Sequence, residues 1–119
     1  MGATTYVQDA DGYSPLDGSN GGIMLRGKVT MSNSYATGGD TIAGATVGLG
    51  MITKLETATA SKTSDATHSY IFQPVYDSTA VNVTKVQAFW AAASGAPFIE
   101  VTNTTDLSAV VVDVLIFGT

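Results

Sequence analysis

The stretch that most constrains this chain is its last apolar run, Val110-Val-Val-Asp-Val-Leu-Ile-Phe117. It is β-branched almost throughout, too short and too interrupted by Asp113 to cross a membrane as a helix, which needs about 20 apolar residues. Left at a sheet edge it would template aggregation. The run therefore predicts a central strand, with neighbours on both sides and Val110, Val112, Val114 and Ile116 facing a core. Asp113 falls on the opposite parity, where it is expected either to face solvent or to pair at a subunit contact, with Lys85 or Arg26 as partner.

A central strand needs others around it, and the rest of the chain supplies the period of two that marks half-buried strands. Ile23, Leu25, Val29 and Met31 share one face while Arg26, Lys28 and Thr30 take the other. Met51–Ala60 follows, with Leu55 inward between Lys54 and Glu56, trailing into a loop over 57–67. Ser69–Tyr76 carries Pro74, which cannot donate a ladder hydrogen bond and so marks an edge or a bulge. Val83–Trp90 alternates again, and Ile99 and Val101 flank Glu100 in a short strand that leaves Glu100 outward as a rim charge. Ser32–Asp40 and Asn103–Asp106 carry turn chemistry, and Ile42–Leu49 leaves room for at most one helical turn. The sum is six strands and no strong helix, which predicts an all-β fold: a single small β-sandwich or jelly-roll-like barrel over residues 23–119. Residues 1–22, rich in glycine and in spaced acids, predict an extended, flexible N-terminal arm with Tyr6, Tyr13 and Leu16 as isolated apolar points.

Composition narrows the function. Thr, Ala, Gly and Ser make up 55 of 119 residues, and charged residues only 13 %. Five Lys and Arg stand against ten Asp and Glu, a formal net charge of −5 that repels phosphate backbones and anionic lipid. No nucleic-acid or membrane partner is expected. The absence of cysteine removes disulfides, thiolate nucleophiles and zinc–sulfur sites together. The first nine residues lack a basic start and an apolar stretch, so folding in the cytoplasm is expected.

Candidate sites are few. Asp9-x-Asp11-Gly12 with Asp17 and Asn20 has the oxygen donors of a calcium loop but lacks the third acid and the bidentate Glu of an EF-hand, which favours a solvated acidic arm. His68 stands three residues after Asp65 with no triad around it, the pattern of an exposed loop residue. Gly48-Leu-Gly50 lacks the Lys-Ser/Thr pair of a phosphate loop and fits a tight turn. No second carboxylate adjoins Glu100 for glycosidase chemistry. Neither an enzyme nor a cofactor or metal is expected. Phe89, Trp90 and Phe98 flank the Ala-rich 91–97 loop. Trp90 is the better core residue, and Phe98 is a candidate interface anchor.

Several blocks resemble the head decoration or cement proteins of tailed bacteriophages: Ser34-Tyr-Ala-Thr-Gly-Gly-Asp40, Val47-Gly-Leu49, Tyr70-Ile-Phe72, Lys85-Val-Gln-Ala-Phe89, and Glu100-Val-Thr-Asn-Thr-Thr-Asp-Leu-Ser-Ala109 leading into the terminal apolar strand. The resemblance spans about residues 29–118. The chain departs from the family at Ala36, where Pro is frequent, at Asp40, where Glu is, and at Thr104, where Gly is. The resemblance implies many copies, often trimers, bound to the outside of a shell across junctions between major capsid protein subunits, on a virion assembled in the host cytoplasm. Under that reading Tyr6, Tyr13, Leu16, Phe98 and Asp113 are the expected contact residues, and removing residues 1–22 is expected to weaken attachment while leaving a folded domain. A tail or head-fibre base component and a carbohydrate-binding β-sandwich with Trp90, Phe89 and Phe98 as platform are the alternatives.

Overall fold

The computed structural model describes residues 3–16, 22–62, 69–91 and 95–119. The fold is all-β, built from two antiparallel sheets. The first has the strand order β1 (Thr5–Pro15), β2 (Ile23–Thr30), β8 (Val111–Gly118), β4 (Ile52–Lys62); the second has β3 (Asp40–Thr41), β6 (Asn82–Ala91), β5 (Ser69–Asp77), with β7 (Ile99–Glu100) also paired to β6. The terminal strand is central, as its composition requires, with Ile116 opposite Leu25 on one side and Leu55 on the other. Its burial alternates strictly: Val112, Val114 and Ile116 are buried and the residues between them are half-buried. Those side chains join Leu25, Val29, Ile52 and Leu55 from the same sheet and Phe72, Val86 and Ala88 from the other in one hydrophobic core.

Loops complete that core. Met31, Tyr35, Ile42, Leu49, Val101 and Leu107 are all buried although none lies within a strand. A single 3-10 turn, Gly44–Val47, occupies the segment where at most one turn was expected, and Gly48 ends it in the left-handed region at φ 82°, which glycine adopts without steric cost. Pro74 sits in β5, the last strand of its sheet, one residue before a register shift at Val75/Tyr76. Both outcomes fit its missing N–H.

The strand count and the N-terminal stretch differ from expectation. Eight strands form among the described residues, and residues 5–15, expected as a flexible arm, are β1, paired with β2 from Thr5↔Thr30 to Pro15↔Ile23 around an irregularity between Gln8 and Tyr13. The reason is local. Gly27 leaves a gap on the inner face of β2, and the Tyr6 ring fills it so closely that a Cβ on Gly27 would lie 2.5–2.6 Å from three of its atoms. One acid of β1 is a partner for β2 and not a solvated counter-charge: Asp9 meets Lys28 Nζ at 3.1 Å and Arg26 Nε at 3.6 Å. Ahead of β1, Ala3 bridges in parallel to Thr41, and the Thr4 N–H and hydroxyl both donate to the Thr41 carbonyl at 3.0 Å. The N-terminal stretch thus contacts both sheets. β4 also runs to Lys62, beyond the start of the expected 57–67 loop; residues 63–68 lie outside the described residues.

Candidate functional site

The most developed polar arrangement among the described residues holds the 32–40 turn against the 100–107 segment. Tyr35 is fully buried, and its hydroxyl donates to Glu100 Oε2 at 2.7 Å while accepting the Ala88 N–H at 3.0 Å. The place of that hydroxyl follows from the topology. β3 pairs with β6 at Val86 and Lys85, β7 pairs with it at Phe89 and Trp90, and the two short strands leave Ala88 between them on the same edge. The tyrosine oxygen takes the position a strand carbonyl would occupy. Burial, foremost, and the nearby carboxylates raise the Tyr35 phenol well above its ordinary value, so it is a proton donor throughout the neutral range.

Two carboxylates anchor the turn itself. Glu100 Oε2 also accepts the Gly38 N–H at 2.7 Å. Asp40, fully buried, accepts the Ser32 N–H at 2.9 Å and the Ala36 N–H at 3.1 Å. Main-chain bonds continue the junction: the Thr104 N–H donates to the Tyr35 carbonyl, the Tyr35 N–H to the Thr105 carbonyl and the Leu107 N–H to the Ser32 carbonyl, all within 2.9 Å. Asn103 Oδ1 accepts the Thr37 N–H at 3.2 Å. Glu100 was expected outward between two inward neighbours, but it is half-buried while Ile99 is 59 % exposed, and it is a structural acceptor and not an uncommitted rim charge. Sequence reasoning missed this clasp because its halves lie 65 residues apart. The only local hint was an acid, Asp40, directly after two glycines at the end of a turn.

The predicted contact residues do not gather at one place. Tyr6 packs on its own core, with a buried hydroxyl that has no hydrogen-bond partner. Tyr13 is 55 % exposed near the far end of β1, and Leu16 is half-buried, its N–H donating to the Gly22 carbonyl. Phe98 is 44 % exposed in the other sheet's loop before β7. Asp113 faces outward, as its parity requires, but its partner is Lys28, at 3.5 Å, where Lys85 or Arg26 was expected. Lys28 lies directly across the ladder from Asp113, whereas Lys85 belongs to the second sheet. A shallow cavity of about 220 Å³ opens beside this pair, lined by Arg26, Glu56, Thr57, Asp113, Val114 and Leu115.

Two other expectations meet the geometry. Phe89 and Trp90 are successive residues of β6 and point to opposite faces: Trp90 packs against the core beside Tyr70, ring centroids 6.1 Å apart, while Phe89 sits outward across from Ile71. They cannot form one flat platform with Phe98. Asp9, the first donor of the calcium-like stretch, is already engaged by two cationic side chains, and Asp17, Asn20, Asp65 and His68 lie outside the described residues. No group of metal-ligating side chains forms among the described residues. No family model, curated protein or solved structure matches the chain.

Proposed function

We propose that this chain is a virion structural protein of the bacteriophage head decoration or cement type, a small β-sandwich that attaches to the outside of a capsid and stabilises contacts between major capsid protein subunits. The observation that carries the reading is the clasp. The two longest blocks of the resemblance, 34–40 and 100–109, are distant in sequence and form one hydrogen-bonded unit through Tyr35, Glu100 and Asn103. Thr104 adds to it. It stands at φ 70°, a conformation costly for a β-branched residue and natural for glycine, at the position where that family carries glycine. The work asked of a cement also suits the molecule. Attachment by many copies favours a rigid domain with few long charged side chains to immobilise, and here turns as well as strands are tied into the core.

Incubating the purified chain with shells that lack it, followed by imaging, tests the reading. Regular density over capsid subunit junctions supports it. Density confined to the tail or to a fibre base, or no attachment to shells, refutes it.

A further inference from the structure

We draw no further inference here: the strongest candidate, the exposed apolar run Pro97-Phe98-Ile99 leading into β7 at the edge of the second sheet, carries nothing, because nothing in the structure shows what covers it.

Discussion

Replacing Tyr35 with phenylalanine removes one oxygen from a buried ring and leaves the ring's volume in place. The cost follows from what that oxygen does. The Ala88 N–H loses its only acceptor at the gap between β3 and β7, and an unsatisfied buried donor costs about 1–3 kcal/mol. Glu100 loses one of its two short donors and keeps the Gly38 N–H, which adds about 1 kcal/mol. Together the substitution should remove about 2–4 kcal/mol, which for a domain of this size lowers the melting temperature by roughly 8–16 °C. Tyr6→Phe is the matched control: its hydroxyl is buried with no partner, so losing it should be neutral or stabilising by up to about 1 kcal/mol. Urea unfolding followed by the fluorescence of Trp90, the single tryptophan, measures both. A loss under about 0.5 kcal/mol for Tyr35→Phe, the range of ordinary surface changes, or equal losses for the two variants, would refute the view that the phenol completes the ladder.

Alkaline unfolding should report the same phenol from its proton. Because the folded-state value of Tyr35 is raised, the folded protein holds this proton after the unfolded chain has begun to release it, so the stabilisation is complete below about pH 10 and is lost as pH climbs from there; Tyr35→Phe should flatten the slope of stability against pH above 10 in a titration of the melting temperature. Deleting residues 1–22 should cost the fold as well as any binding, since it uncovers the gap at Gly27 and strips β2 of one of its two partners, and a truncated chain with unchanged urea midpoint would count against that. Gly27→Ala drives a methyl into the Tyr6 ring and should cost about 1–3 kcal/mol by overpacking, read by the same urea unfolding. Thr104→Gly should be neutral to stabilising by up to about 1 kcal/mol, because relief of the φ 70° strain offsets the added freedom of the unfolded chain; a clear loss would mean that the Thr104 side chain matters more than its backbone.

What the sequence made legible was everything governed by neighbours one or two residues away. Period two placed β2, β4 and β8 and turned Leu55 inward, and the unbroken apolar character of residues 110–117 placed that strand between two others. Pro74 announced an edge through its missing N–H. What stayed hidden was set by residues far apart. Asp9 looks like part of a solvated arm until Arg26 and Lys28 stand across from it, and β1 has only one inward aromatic, which is too sparse to raise a periodic signal. Asp40 and Thr41 form too short a strand to show any. Glu100 alternates as a surface residue should, yet its carboxylate serves a turn whose position only tertiary structure defines. The scattered placement of Tyr6, Tyr13, Leu16, Phe98 and Asp113 has the same origin: an aromatic or an acid in a sequence shows an appetite for contact without showing whether its own chain satisfies it.

The position of the terminal strand has a consequence for synthesis. β8 comes after every other described strand in the chain, so β2 and β4 are made first and wait with open edges on either side of the slot it fills. That sheet is therefore completed by a long-range insertion that ties residue 23 to residue 118. A chain cut before residue 111 would leave β2 and β4 with both edges open and should be as damaged as one cut near residue 23.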